Sequence, residues 1–231
     1  MPTAPTPMPG ESFTPAVLSA AARELFPDGP ALFRRLQHWR PRICPFERLI
    51  PLVPEGADLL DVGCGGGLWP GLLCRLGRVR TAAGFDSSAG AIALARSMRL
   101  PEGSPRPRFE HLPVQAPWPE GPFTCVSIID VMHHVPPSAQ ARVIELAASR
   151  LAPGGVLIYK DMCRRPRWRA WANRLHDLLM ARQWIRYAPI SDVERWADQA
   201  GLTLEHASSH NRLWYGHELR VFRKPAGAAG R

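Results

Sequence analysis

The chain has 231 residues, 45% of them hydrophobic, so it can bury a sizeable core without covalent staples. Its five cysteines, Cys44, Cys64, Cys74, Cys125 and Cys163, are odd in number and form no Cys-x-x-Cys pair, which argues against export and against zinc; a reducing cytoplasm without a bound metal is the expectation. A net charge of +9 admits an anionic partner, yet of 29 basic residues only Lys160 and Lys224 are lysine, and with 25 prolines that arginine bias resembles a high-GC coding background.

The N-terminus MPTAPTPMPGES has neither the basic start nor the apolar core of a signal peptide, and no stretch reaches the roughly 18 apolar residues of a membrane span, so a soluble protein is expected. Residues 1–14 read as a proline-rich, disordered tail. Residues 15–50 read as cap helices, AVLSAAARELF and ALFRRLQHW, placed to lie over a ligand pocket.

The stretch LLDVGCGGG, Leu59 to Gly67, runs from an apolar strand through Asp61 into a glycine loop, with a helix expected from Leu68 or Trp69. Glycines in such a loop take backbone conformations closed to other residues, and the helix start presents unpaired N–H groups, which is the order of a nucleotide-binding turn. The dinucleotide fingerprint fails, because its third glycine would fall where Leu68 stands, and no phosphate-binding Gly-Lys-Ser or Gly-Lys-Thr is present. Asp61 at the mouth of the loop repels anions and suits a cationic group such as an amine.

Alternating strands and helices follow: strands near 58–63, 80–86, 107–112, 124–130 and 155–161, with helices near 68–77, 88–99 and 137–151. The second strand ends in Asp86, 23 positions after Gly63, where two carboxylate oxygens can accept from both hydroxyls of a ribose. The fourth ends in Asp130 and continues as VMHHVP; the turn Pro153-Gly154-Gly155 precedes the fifth.

Between Arg164 and Arg186 stand seven arginines and one acid, Asp177, on a segment whose Trp168, Trp171, Ala172, Leu175, Leu178 and Leu179 recur at helical spacing. This amphipathic insert after the fifth strand is read either as an ordinary cap or as a substrate-binding element. Ser191 is expected to cap a helix to Ala200 that Gly201 ends, and 202–208 with 214–223 form a closing pair of strands.

Together, Asp61 with Gly63, Gly65 and Gly67, then Asp86, DVMHHVP and LAPGGVLIYKD resemble the class I S-adenosylmethionine-dependent methyltransferases over roughly residues 45–224. The resemblance implies an α/β, Rossmann-like fold: a seven-stranded, mostly parallel sheet with helices on both faces and an antiparallel last strand. The implied organisation is a single domain over 15–224, with the insert at 164–186 and a flexible tail at 225–231. It further implies S-adenosyl-L-methionine as cofactor, with Asp61, Gly63, Gly65 and Gly67 under its methionine half, Asp86 on the ribose and Asp130 closing the pocket near the sulfonium. The chain departs from the pattern at FEHLPVQAPW, where Pro113 replaces an acidic residue, which leaves adenine to the Val114 and Gln115 region.

Methyl transfer to a hydroxyl needs a base, and a histidine accepts a proton near neutral pH. The candidates, in order, are His134, which matches a histidine of the ubiquinone-type O-methyltransferases, then His176, His133 and His217, each with a packing role as its alternative. Trp168, Trp171 and His217 are the candidate substrate-binding residues. An Asn- or Asp-Pro-Pro-Tyr motif is absent after the fourth strand, which disfavours amine acceptors, and the only cysteine next to proline is Cys44-Pro45. A small aromatic, polyketide-like or lipid-like acceptor is therefore expected, with oxygen before carbon. Partners left open are an acidic carrier protein, an anionic membrane surface and, less favoured, RNA.

Overall fold

The computed structural model describes residues 13–162, 187–212 and 215–227. The insert at 164–186, with His176, Trp168 and Trp171, lies outside the described residues, as do residues 1–12 of the expected N-terminal tail and 228–231 of the expected C-terminal one. Two compact units are formed, Met1–Pro119 with Phe123–Cys125, and Glu120–Pro122 with Val126–Arg231.

In the first unit, α1 (Pro15–Leu25) starts where the Thr14 hydroxyl accepts the Val17 N–H and proline occupies the first turn, a position that needs no N–H donor. Next come α2 (Ala31–Ile43) and the short α3 (Phe46–Leu49). Strand β1 (Ala57–Val62) buries Leu59, Leu60 and Val62 completely. Helix α4 (Leu68–Arg75), β2 (Val79–Asp86), α5 (Ala89–Arg96) and β3 (Arg108–His111) complete the unit. β1 pairs parallel with β2, and β2 with β3, a geometry that requires the helical crossovers seen between them. The core between helices and strands is built by Leu18, Ala22 and Leu25 of α1, Leu72 and Leu73 of α4, and the stacked rings of Phe46 and Trp69, 5.5 Å apart.

Strand β4 (Phe123–Ile129) leads into the second unit, which continues with α6 (Pro137–Arg150), β5 (Leu151–Met162), α7 (Ile190–Gln199), β6 (Thr203–Arg212) and β7 (Tyr215–Arg223). β7 runs antiparallel to both β5 and β6. The strands hydrogen-bond in the order β3-β2-β1-β4-β5-β7-β6, the seven-stranded sheet with an antiparallel last strand that the family resemblance implies.

Two expectations need correction. α7 is not capped by Ser191: the Pro189 carbonyl already accepts from the Asp192 and Val193 N–H groups, so the helix begins at Ile190 and Ser191 lies inside it. Its end is as expected. Gly201 adopts φ +76° and donates to Asp198 O while Leu202 donates to Ala197 O, the paired bonds that close a helix through a left-handed residue. The second correction is that β5 begins at Leu151, before the Pro153-Gly154-Gly155 turn, because the Gly154 N–H and Gly155 carbonyl bond to the main chain of Lys224 and carry the pairing with the β7 segment onward.

Candidate active site

In the first unit the loop after β1 takes the shape its glycines permit. Gly63, Gly65 and Gly67 have φ of +65°, +53° and +76°, all in the left-handed region. Gly67 serves as the N-terminal boundary of α4, and a Cβ there would lie 2.7 Å from the Phe109 ring, so the helix can approach β3 this closely only with glycine. A Cβ on Gly66 would lie 2.6 Å from the amide nitrogen of Gln37, so α2 rests directly on the loop. Gly65 differs: nothing lies within 4 Å of its Cβ position, leaving its face open to a ligand.

Asp86 at the end of β2 is held by two main-chain donors. One carboxylate oxygen accepts the Gly65 N–H at 2.9 Å and the other the Ser88 N–H at 2.8 Å. Each oxygen retains lone-pair capacity for a further donor, so the carboxylate is oriented in advance for a diol beside the open face of Gly65. Ser88 also caps α5, accepting the Ala91 N–H. The Leu112 N–H bonds to Asp86 O, and the turn holding Val114 and Gln115 is pinned by Trp118, whose indole donates to Val114 O at 2.8 Å while its ring packs 5.1 Å from Phe85. Val114 and Gln115 are thus tied to the same strand end as Asp86.

Asp61 is buried at the end of β1. Burial pushes the Cys64 thiol well above its ordinary range, and the Asp61 and Asp86 carboxylates push it further. Burial and Asp61 do the same to Cys125, and burial alone pushes Cys74 up to about 12. These cysteines stay protonated and unreactive, which excludes them as nucleophiles. Cys44, Cys64, Cys74 and Cys125 are free, and no metal-ligating cluster occurs among the described residues.

In the second unit, Asp130 adopts φ +57°, a left-handed conformation that aspartate tolerates better than most residues. Its N–H bonds to Lys160 O at 2.8 Å and its carboxylate accepts the Lys160 ammonium at 2.5 Å. The Lys160 side chain is 1% exposed, so this charge is carried inside the protein by its carboxylate partner.

The turn Met132–His134 that follows is pinned by Gln140 of α6, whose amide donates to both Met132 O and Val135 O. His133 points inward. Its N–H donates to one oxygen of Asp161 at 3.1 Å, and its Nδ1 lies 2.5 Å from the other. Met162 N–H also bonds to Asp161, at 2.6 Å, so the carboxylate is fixed from its own strand. The His133 and Asp161 side chains are 2% and 6% exposed. The Tyr187 ring lies 6.0 Å from that of His133. His134 is exposed, its ring centroid 4.1 Å from that of His133. His217 is buried in β7 opposite Met162, and Glu218 beside it stands opposite Asp161. Burial raises Glu218 above the usual carboxylate range, Arg220 opposing and Asp161 adding to the shift. Tyr159, on the same strand as Asp161, is also pushed up by burial and by the Asp161, Glu218 and Asp130 charges, which keeps its phenol neutral.

The structure therefore gathers Gly65, Asp86, Val114 and Gln115 in one unit and His133 and His134 in the other. Sequence reasoning passed over Gln37, Lys160, Asp161 and Tyr187. A signal for two of them was present: in VLIYKD, Lys160 and Asp161 close an otherwise apolar strand, where a charged residue is buried only with a partner.

A family model described as a methyltransferase domain matches residues 19–207. A ubiquinone biosynthesis O-methyltransferase of Alkalilimnicola ehrlichii is 31% identical over 158 residues, covering 65% of this chain and 62% of that protein. The protein of the same name from Xanthomonas axonopodis pv. citri is 33% identical over 165 residues, covering 68% of this chain and 67% of its own length. The chain thus spans about three fifths to two thirds of these relatives. Among solved structures, magnesium protoporphyrin IX methyltransferase from Synechocystis, with bound SAM, superposes with a TM-score of 0.60 at 15% identity, covering 89% of this chain and 90% of that one. With the fold, the glycine loop and the matched family model in agreement, the chain belongs to the class I S-adenosylmethionine-dependent methyltransferases.

Proposed function

We propose that this protein methylates a hydroxyl of a small aromatic, polyketide-like or lipid-like molecule, with His133 as the base and Asp161 as the residue that holds it. The observation that carries this reading is the buried His133–Asp161 pair. A neutral amine already has a lone pair with which to attack a methyl group, whereas a hydroxyl must lose its proton, so a built base favours oxygen over nitrogen. The names of the relatives, O-methyltransferases of ubiquinone biosynthesis, support the same acceptor class.

The residues of the first unit fit the cofactor. The open face of Gly65 leaves room for its main-chain approach, the two oxygens of Asp86 suit its ribose, and Asp61 suits its amino group. When bound, S-adenosylmethionine supplies an electrophilic methyl group on a sulfonium. The protein must then orient the acceptor and take its proton. The Asp161 carboxylate beside His133 Nδ1 favours the tautomer that carries its proton on that nitrogen and fixes the orientation of the ring. With the cofactor bound, His133 would take the acceptor's hydroxyl proton, and the Asp161 carboxylate would orient the imidazole and offset the charge it gains. Gln140 and the Met162 N–H keep both partners in register.

The test combines calorimetry with S-adenosylhomocysteine and product analysis of S-adenosylmethionine incubated with phenols, quinols and carrier-bound acyl substrates. Homocysteine-form binding and a methyl group on oxygen are expected. Binding of NAD in its place would end the cofactor assignment, and a methyl group found on carbon or nitrogen would end the acceptor assignment.

A further inference from the structure

We propose that the outward face of α2 is a docking surface for an anionic lipid bilayer. A surface helix ordinarily turns its apolar stripe inward. α2 does the reverse. The side that packs on the protein carries Gln37, against Gly66, and His38, which donates to Phe26 O at 3.0 Å; Arg34, also on this side, donates to Pro27 O. The side that faces water carries Leu32, Leu36 and Trp39, at spacings of four and three residues, with Phe33 beside them; they are 61%, 41%, 52% and 38% exposed. Among the described residues, the only other large apolar side chains this exposed are Val17 and Leu204. The concentration on one helix face marks an interaction surface.

Charge on the same helix selects the occupant. ALFRRLQHWRPRI contains four arginines and no acid. Arg35 and Arg42, seven residues apart, run along one edge of the apolar stripe, and the Arg42 guanidinium sits 4.9 Å from the centre of the Trp39 ring. Leucine and aromatic side chains bordered by cations are the composition of a helix that lies in the headgroup region, with its apolar face in the acyl boundary and its arginines on anionic lipid. A second copy of the chain is a poor occupant, because a symmetric contact sets these arginines against their own images. The segment 164–186 is equally poor, since it brings seven further arginines and one acid. The inference does not depend on the methyl acceptor, and its test involves no catalysis.

The experiment is co-sedimentation of the full chain with phosphatidylcholine vesicles, with and without phosphatidylglycerol. Binding is expected only to vesicles containing the anionic lipid, and it should weaken as salt rises. Leu36→Ser with Trp39→Ser should lower the bound fraction by about tenfold or more, and Arg35→Ser with Arg42→Ser should remove the preference for anionic lipid. These side chains are exposed, so thermal unfolding should be unchanged; Leu32→Ser, at the most exposed position, gives an independent variant of the same stripe. The proposal is overturned if the wild-type chain ignores anionic vesicles or if the apolar variants bind as well as wild type. It is equally overturned if sedimentation velocity shows a dimer that those variants dissolve.

Discussion

The glycine loop of the first unit and the histidine turn of the second solve different problems with different materials. Around Gly65 the ordered groups are largely main chain: an open face without a Cβ, N–H donors, and one carboxylate that those donors orient. Around His133 the ordered groups are side chains, taken out of water and held by partners 28 residues away, as Lys160 is held by Asp130 from 30 residues away. A main-chain site depends on local conformation and tolerates little change at its glycines. A side-chain site depends on the register of two strands and on charges that compensate each other away from solvent. Damage should therefore appear as lost affinity in the first and as lost turnover or stability in the second.

The largest effect should test that contrast directly. His133→Ala is expected to lower turnover about 10²- to 10⁴-fold with S-adenosylhomocysteine affinity nearly unchanged, while exposed His134→Ala should cost far less. Asp161→Asn should lower turnover by an intermediate factor, because the imidazole loses the carboxylate that orients it. Steady-state kinetics with calorimetry would decide it, and an equal loss at His133 and His134 would break the comparison.

Next in size, Asp130→Asn removes a carboxylate that pairs with the buried Lys160 ammonium while retaining a side chain that tolerates positive φ. A loss of about 3 kcal/mol in denaturant unfolding is expected, the low end for breaking a buried pair, because Asp130 keeps some contact with water. In the first unit, Asp86→Ala should weaken S-adenosylhomocysteine binding by about 1.5–3 kcal/mol and leave kcat at saturating cofactor less affected than KM. A pure turnover defect there would contradict a binding role.

The smallest effect concerns Glu218. Its folded pKa is raised above the unfolded value, chiefly by burial, so the protonated form favours folding and that stability is lost as pH rises through the raised pKa. Glu218→Gln should thus raise Tm at neutral pH, and the gain should vanish below the ordinary glutamate range near about 4.3. Melting curves at both pH values provide the check.

How much of this was legible in advance follows the same division. Strand β2 ending at Asp86, the left-handed glycines 63, 65 and 67, and the close of α7 at Gly201 could be read because each depends on residues next to one another in the chain. The start of α7 was misread because serine is a common cap, and the Pro189 carbonyl took that place two residues earlier. Among the histidines, resemblance to a family motif put His134 first. Only the fold shows that its neighbour is the buried one with a carboxylate partner.

The sequence by itself determined the alternation of strands and helices, the left-handed glycine loop after β1 and the lack of a Cys-x-x-Cys pair, since period, glycine and spacing act over a few residues at a time. Tertiary structure alone decided that Asp161 reaches His133, that Lys160 is neutralised by Asp130, that Gln37 rests on Gly66, and that α2 turns Leu32, Leu36 and Trp39 to water. Those outcomes depend on which segments pack together and which face of each is covered, and no local pattern carries that information.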